Sequence, residues 1–212
     1  MHRRPLLELL DRYGEHHPEE AGRVAAVRGL VESRPECFLR SCLPGHVTGS
    51  AWILSPDHRR FLLTHHRKLD RWLQLGGHAD GEPRVAAVAL REAEEESGQG
   101  PFAILSARHP GGVALPIDVD VHAIPARPGD AAGPGEPAHE HHDVRFALVA
   151  SRDAVRLSDE SHALRWFEMA ELETALPALG ADASLVRLGR KAQALVARLA
   201  VGDAAPVRGW RA

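Results

Sequence analysis

The 212-residue chain has few cysteines, no long apolar run and no excess of basic charge, and each shortage excludes a class of protein. Cys37 and Cys42 are too few for a disulfide framework or a four-thiolate zinc site. No run of about 18 apolar residues occurs, so the sequence predicts no membrane-spanning helix. With 26 Lys and Arg against 29 Asp and Glu, a broad nucleic-acid surface is not expected, and any phosphate-bearing partner must be held locally.

What the chain does contain is typical of a soluble globular protein, with 44% hydrophobic and 26% charged residues. Its length suits one substantial domain with a small appendage. Glu8 and Asp11 interrupt the apolar stretch near the N-terminus, which disfavours a signal peptide. We therefore expect a reduced, cytoplasmic protein.

Hydrophobic periodicity predicts two N-terminal helices, the first around Leu6 to Tyr13 and the second over 20–32. From residue 47 the pattern changes to alternation, which predicts a strand, a turn and a returning strand that ends near residue 66. The further predicted elements are a helix at 83–97, strands near 102–108, 113–125 and 142–150, and a helix at 183–201. This order predicts a helical cap over 1–44, followed by an α/β domain over 45–205.

The predicted helix at 83–97 carries Glu92, Glu95 and Glu96 at spacings that place all three carboxylates on one face. Like charges at these spacings repel by roughly 0.2–0.5 kcal/mol per pair, and a divalent cation turns that repulsion into attraction. The alternative is a solvated acidic face, which is the usual meaning of such a run.

The segment from Gly77 to Gln99 resembles the Nudix box, written G-x5-E-x7-R-E-U-x-E-E-x-G-U, where U is a bulky apolar residue. The positions that match are Gly77, Arg91, Glu92, Glu95, Glu96 and Gly98. The resemblance covers about residues 47–170 and implies a Nudix-type α/β/α sandwich with a mixed sheet. It also implies a hydrolase that cleaves a phosphoanhydride bond with the help of Mg²⁺ or Mn²⁺.

Three positions depart from the box. Pro83 stands in place of the first glutamate, although Glu82 lies one residue earlier. Ala93 is smaller than the usual aliphatic residue, and Gln99 replaces the final apolar one. Because the first glutamate of the family is not generally a direct metal ligand, its loss bears on rate and local geometry more than on metal binding.

The resemblance assigns metal ligation to the carboxylates of Glu92, Glu95 and Glu96 and to the carbonyl of Gly77. Arg91 is expected to orient Glu92 through a charge-assisted hydrogen bond. The attacking water is expected to be deprotonated by a carboxylate or delivered as metal-bound hydroxide. The candidates for that general base are Glu92, Glu96, Glu136, Glu140 and Glu160.

A second constellation runs from His139 to Phe146. Strand alternation places His139, His141, Asp143 and Arg145 on one face, opposite Val144 and Phe146. A basic hairpin end around Arg67 is a further candidate for receiving phosphate. We therefore predict a substrate-binding set of Arg67, His139, His141, Asp143 and Arg145. Two alternatives stay open for the histidine row, a Zn²⁺ site or a hydrated edge strand.

The expected partner is a small-molecule nucleotide, with a nucleotide sugar or a nucleoside triphosphate favoured, and the N-terminal helices leave room for a homodimer interface. One rival function is a non-catalytic Nudix-fold nucleotide sensor, but such proteins usually lose the box carboxylates. The other is a prenyl-diphosphate isomerase, which needs a catalytic cysteine in its cleft. Both cysteines precede the first predicted strand, which weighs against this second rival.

Overall fold

The computed structural model describes residues 2–109, 113–129, 135–159 and 161–207. The chain divides into two compact units. The first unit contains Met1–Thr48, His78–Val85 and Val119–Val144, and the second unit contains Gly49–Gly77, Ala86–Asp118 and Arg145–Ala212.

Helices and strands follow one another along the described chain in a mixed α/β order. The helices are α1 (Arg4–His16), α2 (Ala21–Ser33), α3 (Val85–Ser97), α4 (Leu172–Ala178) and α5 (Ala183–Ala200), with 3₁₀ turns at Pro18–Glu20 and Met169–Glu171. The strands are β1 (Gly45–Leu54), β2 (Arg60–His66), β3 (Arg71–Leu73), β4 (Leu75–His78), β5 (Ala103–Ala107), β6 (Asp118–Ile124), β7 (His139–Val149), β8 (Ser161–Glu168) and β9 (Ala204–Val207). None of the described helices is long and apolar enough to cross a membrane.

The predicted elements are present, with displaced ends. The strand predicted from residue 113 begins at Asp118, and the strand predicted from residue 142 begins at His139. The strands β3, β4, β8 and β9 and the helix α4 were not predicted, and Gly76 and Gly77, expected in a loop, lie in β4. Only two of the eight residues of β8 are buried, so its periodicity is weak.

The strands of the described chain form one sheet in the order β3-β2-β1-β7-β5-β9. In addition, β4 pairs with β1, β6 with β7, and β8 with β2. β7 therefore has β1 on one side and β5 on the other. The interpretation of β7 as a hydrated edge strand is wrong, because its residues from His142 to Leu148 are buried on both faces.

In the first unit, α1 and α2 bury the apolar positions that their periodicity predicts, among them Leu6, Leu10 and Tyr13 on α1. The guanidinium of Arg3 donates to the carbonyl oxygens of Val31 at 2.7 Å and Glu32 at 2.8 Å. These carbonyls belong to the last turn of α2, where they lack partners within the helix. One arginine ahead of α1 therefore caps the C-terminus of α2.

The core of the second unit is built around stacked aromatic rings and the apolar face of α5. The rings of Trp52 and Phe61 stack at 4.7 Å, and Leu188 of α5 is buried in the same cluster. A Cβ atom on Gly189 would lie 2.7 Å from Leu172 Cδ1, so a side chain there is excluded unless the leucine moves. Trp166, expected in the core, is only half-buried, and its Nε1 donates to the Asp153 carbonyl at 2.9 Å.

A buried ion-pair network ties the start of β6 to β7 and α5. Asp118 is fully buried and accepts from Arg145 at 3.2 Å, from Arg187 at 2.9 Å and from Lys191 at 2.9 Å. Arg145 also donates to the Ser184 hydroxyl at 2.6 Å. Because three cations surround one carboxylate, removal of the negative charge leaves desolvated positive charge unpaired.

We expect Asp118→Asn to lower the free energy of unfolding by about 3–5 kcal/mol, the usual cost of breaking a buried ion pair. The matched control is Asp153→Asn, which removes a half-exposed carboxylate paired with Arg60 at 2.8 Å. This control should cost less than about 1 kcal/mol. Urea titrations of both variants measure the difference, and equal losses would contradict the role assigned to Asp118.

Candidate functional site

The helix α3, which carries Glu92, Glu95 and Glu96, begins at Val85 and ends at Ser97. Gly98 has φ of +62° and its N–H donates to the carbonyl of Glu94 at 3.0 Å, so it is the left-handed residue that ends the helix. Pro83 was expected in the first helical turn, and it instead lies two residues before the helix.

The Gly76–Gly77 pair of β4 lies where a side chain is excluded by backbone at Gly76 and would displace the Glu92 carboxylate at Gly77. A Cβ atom on Gly76 would lie 2.7 Å from Ser50 Cα and 2.8 Å from the Gly49 carbonyl oxygen. A Cβ atom on Gly77 would lie 2.5 Å from Glu92 Oε2. The backbone of β4 therefore touches β1 at one glycine and the Glu92 carboxylate at the next.

Two of the three predicted carboxylates are gathered at this glycine pair. The side chain of Glu92 is 16% exposed, and its Oε1 accepts from Arg91 at 2.6 Å. Glu96 is 8% exposed, and its Oε1 accepts from the Gly76 N–H at 3.3 Å. Glu95 is exposed to solvent. Arg91 thus makes the contact that its predicted orienting role requires.

This donor set fits a hard divalent cation. Carboxylate and backbone oxygens are the ligands that Mg²⁺ and Mn²⁺ prefer. Gly76 and Gly77 carry no side chains, and the N–H of Gly76 reaches Glu96 Oε1 at 3.3 Å. The carboxylates of Glu92 and Glu96 are therefore donors of the type that suits the metal the Nudix resemblance implies.

The predicted substrate-binding residues fall into different environments. Arg67 is exposed in the turn after β2 and donates to the Ser161 carbonyl at 3.2 Å. Asp143 is buried and accepts from the Thr48 hydroxyl at 2.9 Å. Arg145 is engaged in the Asp118 network. Strand alternation predicted their shared face, but not that the protein itself supplies partners for Asp143 and Arg145.

His139 and His141 lie in the first unit beside two histidines that sequence reasoning missed. The ring of His46 lies 4.9 Å from those of both His139 and His141, and 5.0 Å from that of His78, between centroids. His46 is the second residue of β1 and His78 ends β4, so no local sequence pattern joins them to the His139–His141 pair. We name these four residues the histidine cluster.

Burial lowers the pKa of His46, His78 and His141. Desolvation, reinforced by neighbouring His78, lowers the pKa of His46 to about 4, and a backbone group of Cys42 opposes this shift only weakly. Desolvation, reinforced by His122, lowers the pKa of His141 to about 3. These imidazoles are therefore neutral at physiological pH.

The loop candidates for the general base are engaged with histidines. Glu136 Oε1 lies 3.8 Å from His139 Nε2, and Glu140 Oε2 lies 3.3 Å from His142 Nε2. Glu160 lies outside the described residues. Each of these assignments stays a prediction.

Comparison with known proteins identifies the same segment of the chain. The sequence profile described as the NUDIX domain matches residues 45–188. A solved hydrolase of the NUDIX family from Clostridium perfringens is 23% identical, with a TM-score of 0.50, over 71% of this chain and 97% of that chain. An Ap4A hydrolase from C. elegans is 21% identical, with a TM-score of 0.48, over 71% of this chain and 97% of that chain. Among curated proteins, none matches significantly.

Gln99, which replaces the final apolar residue of the box, is expected to lower the stability of the folded protein. Gln99 is buried, and neither end of its amide has a hydrogen-bond partner among the described residues. A buried amide without partners costs about 1–3 kcal/mol, so Gln99→Leu should raise the free energy of unfolding by about 1–2 kcal/mol. The matched control Gln193→Leu changes an exposed residue of α5 and should shift stability by less than about 0.5 kcal/mol. Denaturant titration measures both, and a loss of stability in Gln99→Leu would show that the amide has partners after all.

Proposed function

The chain belongs to the NUDIX family of hydrolases, and within that family we propose that it cleaves a phosphoanhydride bond of a nucleoside diphosphate linked to another group. The observation that carries the proposal is the packing of Glu92 and Glu96 against the Gly76–Gly77 backbone. Two acidic side chains held together against the backbone of β4 repel each other unless a cation is present, which favours a metal-dependent reaction.

In this proposal the carboxylates of Glu92, Glu95 and Glu96, with the carbonyl of Gly77, hold Mg²⁺ or Mn²⁺. When bound, the cation neutralises diphosphate charge and stabilises the leaving phosphate. Glu95 is the exposed member of the set, so it is the carboxylate most open to solvent and substrate. Glu92 and Glu96, which are nearly buried, are the ones whose positions the fold determines.

Arg91 acts through Glu92. Its guanidinium donates to Glu92 Oε1 at 2.6 Å, a charge-assisted bond that fixes the carboxylate and leaves Oε2 beside Gly77. We therefore assign Arg91 a positioning role. The attacking water gives its proton to a carboxylate, for which Glu92, Glu96, Glu136, Glu140 and Glu160 all remain candidates.

The favoured substrates are a nucleotide sugar and a nucleoside triphosphate. Arg67 is the predicted substrate contact whose side chain is exposed, and we propose that it binds a phosphate. Direct substrate contacts by His139, His141, Asp143 and Arg145 stay predictions, and all four would have to change their present partners or surroundings to make them.

The substrate class is tested by product analysis. The protein is incubated with nucleoside triphosphates, nucleotide sugars, ADP-ribose and dinucleoside polyphosphates, each with Mg²⁺, with Mn²⁺ and with chelator. Metal-dependent cleavage of a nucleotide sugar or a triphosphate is the expected result. Cleavage of another class alone would overturn the substrate assignment, and cleavage that persists in chelator would overturn the metal dependence.

The carboxylate assignment is tested by substitution on α3. Glu92→Gln and Glu96→Gln should each lower kcat by about 100-fold or more, equivalent to about 2.7 kcal/mol of transition-state stabilisation. Glu94→Gln lies on the same helix outside the proposed ligand set, and it should keep kcat within about twofold. Calorimetric titration of Mn²⁺ gives the second readout, since affinity should fall in the first two variants only. If the control loses as much as the others, the effect belongs to the helix and not to the site.

The prenyl-diphosphate isomerase rival is disfavoured by its missing reactive thiol. Cys37 and Cys42 are buried, and desolvation raises the pKa of Cys37 to about 11 and that of Cys42 above its ordinary value. Since the thiolate is the reactive form, neither side chain is activated.

We accordingly expect iodoacetamide at pH 8 to leave both cysteines of the native protein unmodified, with hydrolase activity unchanged. Denaturation should expose both to alkylation, and intact-mass spectrometry counts the adducts. Rapid native alkylation of Cys42 with loss of activity would return the cysteine mechanism to consideration.

A further inference from the structure

Three histidines of the first unit bring their ring nitrogens together. One nitrogen each from His46, His78 and His141 lies within 4.8 Å of the other two. The ring centroids are 5.0 Å apart for His46 and His78, 4.9 Å for His46 and His141, and 5.1 Å for His78 and His141. Imidazoles that converge in this way from three strands have the spacing from which a small ion can be bound.

The most deeply buried of the three makes no well-formed hydrogen bond to any described residue. His46 is 1% exposed, and neither of its ring nitrogens has a hydrogen-bond partner within normal geometry among the described residues. A buried polar group normally finds a partner, because leaving it unsatisfied costs free energy. Coordination of a cation satisfies one ring nitrogen of His46 directly.

The charge state of the cluster also suits coordination. A histidine must be neutral to bind a metal ion, so protons compete with the metal. Burial holds the pKa of His46 and His141 well below its ordinary value, so this competition is weak near neutral pH. Because the imidazoles carry no positive charge, they do not repel a bound cation.

His139 lies beside this group of three histidines. Its Nδ1 lies 2.9 Å from the Pro137 carbonyl oxygen, which requires the proton on Nδ1 and leaves a lone pair on Nε2. That Nε2 lies 3.2 Å from His141 Nε2. Nitrogens that share a tetrahedral Zn²⁺ at about 2.0–2.1 Å are about 3.3 Å apart. A backbone carbonyl that fixes the tautomer is also the usual support of a zinc-bound histidine.

We propose that His46, His78 and His141 form a binding site for a borderline transition-metal ion such as Zn²⁺, with His139 as the fourth ligand. This site is chemically separate from the carboxylates of α3, because nitrogen donors select Zn²⁺ whereas oxygen donors select Mg²⁺ and Mn²⁺. Its ligands come from β1, β4 and β7, so an ion bound there stabilises the first unit by linking the ends of three strands.

The proposal is tested by titrating Zn²⁺ into chelator-treated protein in the presence of excess Mg²⁺, which occupies oxygen sites without competing for imidazole. The wild-type protein should bind one tight equivalent of Zn²⁺ and unfold at a higher temperature when it is bound. His46→Gln and His141→Gln should each weaken the affinity by at least about 100-fold and abolish the thermal shift. His162→Gln, at an exposed histidine of β8, should behave as the wild type does.

X-ray absorption of the wild-type zinc complex provides a readout that does not depend on the variants folding. The expected shell contains at least three imidazole nitrogens at about 2.0–2.1 Å. An oxygen-only shell would overturn the proposal. So would the absence of tight Zn²⁺ binding in excess Mg²⁺, or unchanged affinity in folded His46→Gln and His141→Gln. Because binding is read without substrate, these outcomes are independent of whether the hydrolase proposal holds.

Discussion

The close approach of the Gly76–Gly77 backbone to its neighbours is the constraint on which the carboxylate site depends. A side chain on Gly76 would collide with the backbone of β1, and a side chain on Gly77 would collide with the carboxylate of Glu92. Because neither residue has a side chain, the backbone of β4 lies close to the acidic helix α3. Glu92 and Glu96 are thereby held nearly buried. Their mutual repulsion is stronger there than in water, so a bound cation would offset more of it.

Buried charge is handled in opposite ways elsewhere in the molecule. Asp118 is compensated by protein cations, since Arg145, Arg187 and Lys191 all reach its carboxylate. The imidazole of His46 needs no compensating charge, because desolvation keeps its pKa near 4 and the ring stays neutral. The Asp118 network is satisfied by the chain itself, whereas we propose an ion of a different chemical class for the acidic helix and for the histidine cluster.

Features that depend on local periodicity were predictable from the sequence, and features that depend on strand neighbours were not. The i, i+3, i+4 spacing predicted that Glu92, Glu95 and Glu96 share the face of a helix, and the left-handed Gly98 followed from its place after that helix. Alternation predicted which face of β7 carries Arg145, but it could not predict that β7 lies between two strands and is buried on both faces. His46 was missed for the same reason, since its partners come from distant parts of the chain.

Pro83, which stands in place of the first glutamate of the box, lies in surroundings different from those of Glu92. Pro83 lies before α3, in a segment that Glu82 organises by accepting the N–H of Arg84 at 2.8 Å and pairing with its guanidinium. The fixed φ of proline and this local bond together set the path into the helix, a task that does not require a glutamate at position 83. The carboxylate of Glu92 is fixed by different contacts, with Arg91 on one oxygen and the Gly77 backbone beside the other. The departure therefore concerns the entry into the helix and leaves the contacts of the proposed metal-binding carboxylate of Glu92 intact.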